Sequence, residues 1–513
     1  MRSALVLVAG LPGLALADPS FHPIDAPEHI YAGGWEHFVG GGIAAFDCNG
    51  DLFPELVAAG GTNPVTLFVN ETGTRGDPLR FRAETPEALA LASVTGVYPL
   101  DIDSDGVLDL AVLRVGENTL LKGGPDCAFA PFPDDLGFIT DDRWTTSFTA
   151  TWENEHTLPT LAFGNYVDRS DPQGPFEACD INQLYRPSGA AYSAPDILEP
   201  GYCALSALFS DWNRAGRADL RLSNDRHYYV RGGEEQLWAM ESTPRLYTSE
   251  EGWRSYSLWG MGIASRDITG DGLPEVYLSS MGDQLFQIRE GDGPTWVTAR
   301  YETGTTSQRP HLGDDGRPST GWHIAFGDVN NDGRDDAFIA KGNVEQMPSN
   351  AMEDPNSLLV QDDDGVFREI SVEAGVASMA RSRGAALVDL NLDGRLDLAV
   401  VNRRVPLEIY ENSATAAGHW LQVSLAQAGT NTKAIGAWID LQVGDRTFSR
   451  EVTVGGGHAG GVAAPEHFGL GGVTAGKLRV TWPDGIVTDW IDVEADCIIQ
   501  IRRGDDGITV EKL

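Results

Sequence analysis

Short apolar runs of period two, each broken by an acidic loop and resumed as a second apolar run, recur along most of this chain. The pattern is clearest in GIAAFDCNGDLFPELVAAG (42–60), GVYPLDIDSDGVLDLAVLR (96–114), GIASRDITGDGLPEVYLSS (262–280), HIAFGDVNNDGRDDAFIAK (323–341) and GAALVDLNLDGRLDLAVVN (384–402). A decayed copy is ALFSDWNRAGRADLRLSN (207–224), and a fainter one is LAFGNYVDRSD (161–171). The first Asp or its equivalent falls at 47, 101, about 165, 211, 267, 328 and 389, giving seven copies 46 to 64 residues apart. Each copy reads as strand–loop–strand. The rest of each period has room for two more strands, such as VTLFVNE (65–71) and LRFRAE (79–84). Four strands per period is the arithmetic of a propeller blade, so the chain predicts an all-β, seven-bladed β-propeller over 18–412. The last blade runs out of chain near Asn412, so ring closure is expected from a strand around His29–Ala32. A linear β-solenoid is the rival, but its period should be shorter and more regular.

After Asn412 the pattern changes. A small-residue linker (413–417) leads into HWLQVSL, IGAWIDLQVG, TFSREVTV, KLRVTWP, IVTDWIDV and CIIQIRR. Six alternating strands within 418–513 predict a separate small β-sandwich or barrel.

The chain carries 75 Asp+Glu against 37 Lys+Arg, a formal charge of −38. With 42% hydrophobic and 22% charged residues, disorder is not the explanation. Such an anionic surface repels phosphate backbones and anionic lipid, which argues against nucleic-acid binding and a polybasic membrane anchor. Residues 418–513 hold only 8 basic and 12 acidic residues, so nearly all the excess belongs to the repeats. At the N-terminus, Arg2, an apolar run from Ala4 to Leu16, and Ala15 and Ala17 before Asp18 read as a cleaved secretory signal (1–17), too short to span a bilayer. A secreted, periplasmic or extracellular location follows, with no transmembrane span after cleavage. Cys48, Cys127, Cys179, Cys203 and Cys497 include no C-x-x-C pair. Cys179 and Cys203 bracket a loop-rich stretch and read as a disulfide pinning an insertion; the remaining connectivity is open.

Within the acidic loops, oxygen-bearing residues stand at positions 1, 3, 5 and 9. They are Asp47, Asn49, Asp51 and Glu55; Asp101, Asp103, Asp105 and Asp109; Asp267, Thr269, Asp271 and Glu275; Asp328, Asn330, Asp332 and Asp336; and Asp389, Asn391, Asp393 and Asp397. Alternating hard oxygens in a tight turn suit Ca²⁺, giving about five sites; Mg²⁺ prefers fewer protein oxygens, and no His or Cys occupies the ligand spacing. Gly106, Gly272, Gly333 and Gly394 at position 6 let the loop double back. An EF-hand needs a bidentate Glu at position 12 between helices, but here that position is Ala58, Val112, Leu278, Ile339 or Val400, inside the next strand. Asp, Asn and Gly also favour metal-free turns. Five loops with a carboxylate at position 9 go beyond that, since unpaired carboxylates crowded in a hairpin repel. The decayed copy keeps Asp211, Asn213 and Asp219 but has Ala215 at position 5.

These loops resemble FG-GAP/VCBS-type calcium-binding repeats, the kind that build the propeller of integrin α-subunits. The tail is similar to an ASPIC/UnbV domain: the His419-Trp420-Leu421 start, the Ile-Gly-Ala turn (435–437), Arg450-Glu451-Val452, the run His467 to Gly471 and Trp482-Pro483-Asp484-Gly485 carry the likeness. The order matches the cartilage acidic protein family and its bacterial relatives. Where that family usually has a Tyr and a Ser-Gln pair after the Gly-rich turn, this chain has His458, Ala459 and Gly460. The resemblance implies a secreted calcium-binding protein with an adhesive or interaction role, and no reaction. Consistently, H-E-x-x-H, G-x-S-x-G and P-loop motifs are missing from the sequence. His458 in GGGHAGG reads as a solvated residue of a flexible turn, and His467 as a structural hydrogen-bonder. Trp144, Trp152, Trp238, Trp253 and Trp259 read as core before sugar platform. The expected function is a non-enzymatic protein- or glycan-interaction module; the alternative is a polysaccharide-acting lyase or hydrolase on the same scaffold. The partner-facing surface is expected in the loops of 125–200 and 290–320 rather than the calcium loops.

Overall fold

The computed structural model describes residues 18–153, 156–225, 233–306, 316–344, 347–414 and 418–513. The expected signal segment, and part of the expected linker, lie outside these residues. Among them, seven four-stranded antiparallel units succeed one another along 21–412, the second and third joined by a pairing of Arg143 and Trp144 with Gly116 and Val115. Their first strands are Ile43–Phe46, Val94–Leu100, Arg143–Thr151, Ala204–Ser210, Gly260–Arg266, Gly321–Gly327 and Ser382–Val388. Each lies against the first strand of the next unit, and the last returns to the first. This closed ring of radiating sheets is a β-propeller. First and second strands are almost wholly buried, which is why they read as continuous apolar runs, while the fourth strands are short and exposed.

Closure differs from expectation. The closing strand is Phe21–Pro23, paired antiparallel with Glu408–Asn412, whereas Ile30, Tyr31 and Ala32 make only isolated bridges to Pro406, Arg403 and Gly61. The outer position of a blade needs just three residues here, and FHP carries too little pattern to be seen in sequence. The insertion of the third unit is tied by Cys179–Cys203, as expected; a second disulfide, Cys48–Cys127, joins the first two units, and Cys497 is a buried thiol.

The C-terminal region forms two four-stranded sheets, one of Glu466–Gly471, His419–Gln427, Cys497–Gly504 and Gly507–Lys512, the other of Arg446–Glu451, Trp438–Val443, Ala475–Thr481 and Ile491–Glu494. They enclose one apolar core that includes Leu421, Ile439, Phe468, Leu478 and Trp482, a β-sandwich. Six strands were expected and eight are present. Glu466–Gly471 is rich in glycine, and Gly507–Lys512 is exposed on both faces, so neither alternates in hydropathy.

The sandwich is not a separate body. Its segment 454–463 enters the centre of the ring: Val454, Gly455, Gly457 and Gly460 bridge to Ala150, Leu208, Ile263 and Val97, and Val462–Ala463 runs parallel to Ala45–Phe46 as a fifth strand of the first unit. The Gly-rich run is required by space. A Cβ at Gly455 would press on the Ala207 carbonyl, one at Gly460 would collide with the Ile43 carbonyl, and Gly455, Gly456 and Gly457 all have positive φ. His458 is therefore no solvated loop residue; it is completely buried in the channel.

Candidate metal loops and the domain interface

All five acidic loops follow one backbone course between the first and second strands of their units. Positions 4 and 6 are both left-handed: Gly50 and Leu52, Ser104 and Gly106, Gly270 and Gly272, Asn331 and Gly333, Leu392 and Gly394. This alternation turns the position-6 N–H back onto the position-1 carboxylate, at 2.9 Å for Leu52–Asp47, 2.9 Å for Gly106–Asp101, 3.0 Å for Gly272–Asp267, and 2.7 Å for both Gly333–Asp328 and Gly394–Asp389. The position-7 N–H donates to the position-5 carboxylate at 2.9 Å in every loop. The position-9 carboxylate accepts from the position-2 N–H, from Cys48, Ile102, Ile268, Val329 and Leu390, at 2.7–3.0 Å. Where position 9 is Asp, its other oxygen reaches the third or fourth strand region, accepting from Gly123, Gln361 and Asn412. The longer Glu55 and Glu275 fold back instead onto Asn49 and Thr269.

The structure thus brings together the position-1, -3, -5 and -9 residues of each loop. Burial pushes Glu55, Asp109, Glu275 and Asp389 up to about 7 and Asp267 to about 6, and neighbouring carboxylates add to it. Asp328, Asp336 and Asp397 rise well above the ordinary carboxylate range for the same reasons. In the second loop, ligand oxygens of Asp101, Asp103 and Asp109 lie within 4.8 Å of one another. There Asp101 Oδ1 and Asp103 Oδ1 are buried without a hydrogen-bond partner among the described residues. An all-oxygen donor set with orphaned carboxylate atoms fits a hard divalent cation. No helices flank the loops, which closes the EF-hand alternative.

The decayed loop keeps the same course, with left-handed Arg214 and Gly216 and the Gly216–Asp211 hydrogen bond at 2.8 Å. Its position-9 Asp219, however, is taken up by protein donors: Trp212 Nε1 at 2.9 Å, Arg217 Nε at 3.0 Å, Tyr247 hydroxyl at 2.7 Å and Met240 N–H at 2.9 Å. A guanidinium stands where the other loops leave carboxylates facing one another.

Sequence reasoning missed that these loops are also the seat of the sandwich. Gln422 Nε2 donates to Asp389 at 2.6 Å, and Thr432 bonds Asp101. Lys433 Nζ reaches the Gly106 carbonyl at 2.9 Å, and the Gly418 and Gly471 N–H groups meet the carbonyls of Asn330 and Asn331. His467 Nε2 sits 3.1 Å from the Gly394 carbonyl, the structural role expected of it. Buried ion pairs complete the contact: Arg450–Asp335 at 3.0 Å, Arg266–Glu466 at 3.2 Å and Arg214–Asp440 at 2.6 Å. Complementary Lys and Arg in a tail with few of them are the signal that was available. Within the channel, neutral His458 accepts the Gly40 N–H on Nε2 (3.3 Å) and faces the Met261 carbonyl through Nδ1 (3.4 Å); its own N–H donates to His323 Nδ1 (3.1 Å). Burial and the Arg383 guanidinium hold it down to about 3. Trp144, Trp238 and Trp253 are buried, and Trp152 and Trp259 half-buried, so the core reading of the tryptophans holds for most.

A closed ring of four-stranded sheets, with acidic hairpin loops at one end and a sandwich docked on them, defines a repeat β-propeller of the cation-loop kind. Residues 47–112 and 267–339 match the FG-GAP-like repeat, and 427–507 match ASPIC and UnbV; the chain carries FG-GAP-like repeats and a C-terminal ASPIC/UnbV domain. Comparison with curated proteins found no match. Similar solved structures include BBS1N in complex with ARL6DN (12% identity, TM-score 0.43, over 77% of this chain and 98% of that one). Others are an Agrocybe aegerita lectin specific for non-reducing terminal N-acetylglucosamine (12%, 0.38, 73% and 95%) and rhamnogalacturonan lyase YesW (12%, 0.35, 76% and 75%). Likenesses at this level say nothing of activity.

Proposed function

We propose that this protein is an exported, calcium-stabilised propeller serving as a non-enzymatic interaction module for a protein or glycan. The observation that carries the calcium reading is the gathering of Asp101, Asp103 and Asp109 oxygens within 4.8 Å, on a backbone course repeated in four other loops. A cation held by these residues would cancel the repulsion between them and tie the two strands of each hairpin together. Because the sandwich covers the loops, calcium serves the join between domains, and the recognition surface lies elsewhere. Ile139, Phe176, Ile197 and Tyr301 stand exposed in the loops of 125–200 and 290–320, of which 307–315 lie outside the described residues, and supply apolar contacts there. Two disulfides, and no helix among the described residues long and apolar enough to cross a membrane, agree with export.

Thermal melts with calcium and with EDTA test the reading. A site held at a hundred times its Kd contributes about 2.7 kcal/mol, so chelation should lower the melting temperature markedly. An unchanged melt in EDTA would sink the calcium assignment. Capture of partners from the native envelope, lost on truncating Tyr301 and Ile139 to Ala, tests the surface.

A further inference from the structure

At the end of the ring away from the acidic loops, where second strands finish and first strands begin, the channel opens into a cavity of about 470 Å³. The glycine-rich segment of the sandwich makes it blind. The Trp322 ring, on the cavity floor, packs at 5.0 Å against buried His458 from one side and lies 4.1 Å from the Arg383 guanidinium. Trp35, Phe38, Tyr166 and Phe176 supply aromatic walls, and Trp35 and Phe176 are exposed at the mouth. Met261, Met281 and Met347, three of the seven methionines in the chain, add adaptable thioether surface. The wall carrying Phe176 is held by the Cys179–Cys203 disulfide, whose Cys203 packs in the same core cluster as Tyr166 and Trp322. The charged residues lining the cavity, among those described, are Arg403, Arg404 and Asp225. Both arginines donate to the Gly33 carbonyl, at 3.3 and 3.0 Å, which sets their guanidiniums side by side at the mouth. Asp225 accepts the Tyr166 hydroxyl at 2.7 Å. Two cations to one anion is a local reversal of sign in a chain of net charge −38.

We propose that this blind pocket binds a small organic anion built on an apolar ring, of the aromatic carboxylate class. The ring lies between Phe176 or Trp35 and the Trp322 floor, where aromatic faces reward a flat apolar body. The carboxylate meets Arg403 and Arg404, whose planar forks match it. The enclosed volume takes one small molecule and excludes a polysaccharide chain. The test is calorimetric and tryptophan-fluorescence titration of the full chain, in calcium buffer, with 2-naphthoate, 2-naphthamide and glucuronate as probes. The expected result is one saturable site for 2-naphthoate, binding at least tenfold weaker for the uncharged amide, and none for glucuronate, which has the charge without the apolar ring. Phe176→Ala and Arg404→Ala alter exposed side chains; each should weaken 2-naphthoate at least tenfold with an unchanged melt, and Trp35→Ala provides a third variant should either fail to fold. Absence of saturable 2-naphthoate binding, equal binding of the amide, or variants that bind as tightly as the parent would each overturn the proposal. The acidic loops lie at the other end of the ring, so an EDTA-insensitive melt and an empty pocket are separate failures.

Discussion

At the scale of single residues, Leu52 is the odd member of its set. Position 6 of the other four ligand loops is glycine with φ between 84° and 93°, and Leu52 is held at 77°. Left-handed backbone costs a residue with a Cβ about 1–2 kcal/mol, part of which glycine returns through its freer unfolded state. Leu52→Gly should therefore stabilise the protein by about 0.5–1 kcal/mol. A higher urea midpoint at unchanged slope would show it, and a lower one would contradict it. The ligand positions themselves were legible because oxygen side chains at 1, 3, 5 and 9 are a chemical pattern. The left-handed turn at position 4 was not: Gly50 and Gly270 hint at it, but Ser104 and Leu392 do not. The backbone there is set by N–H groups converging on the position-1 carboxylate rather than by the residue's own preference. The buried histidines belong to this scale as well. Burial holds His323 and His467 down to about 4 and His458 to about 3, below the ordinary 6.5. An unfolded chain takes up protons on these rings before the folded one does. Their contribution is present in full above about pH 6.5 and is lost as pH falls towards the folded values. His467→Gln should accordingly narrow the gap between melting temperatures at pH 7.5 and pH 5, measured in EDTA and in calcium alike.

Among the elements, the Gly455–Gly461 segment decides how the domains join. Glycine suits a floppy loop and a tightly walled one equally well, so sequence alone read GGGHAGG as the first. What selects the second is the surface it faces, assembled from inner strands up to 400 residues away in the chain. Gly460→Ala would drive a methyl into the Ile43 backbone, and Gly42 opposite leaves as little room beside Ala459. A loss of about 2–3 kcal/mol is expected, as for overpacking elsewhere, read in denaturant melts of the full chain. Near-neutral stability would mean that the segment does not enter the ring. Strand prediction fared best where a face is buried and worst at the short outer strand Phe21–Pro23 and the exposed Gly507–Lys512, where burial imposes no pattern.

The molecule as a whole has its acidity at the seam. Sixteen carboxylates occupy ligand positions in the five loops, and the sandwich rests on that end of the ring through hydrogen bonds and buried arginine–carboxylate pairs. Propeller and sandwich should therefore unfold in one calorimetric transition, with chelation moving both together; two resolved transitions would show independent domains. Fold class was legible because a repeat multiplies a weak signal, while the docking of the two domains has no repeat to multiply it. The glycine-rich plug has one more consequence, for synthesis. Its residues leave the ribosome after every blade, and the ring that receives them closes only when Phe21–Pro23 meets Glu408–Asn412. The order of emergence thus places channel filling after ring formation, and the nascent propeller is hollow until its last hundred residues arrive. A chain cut short in that stretch would keep every blade and lack its centre.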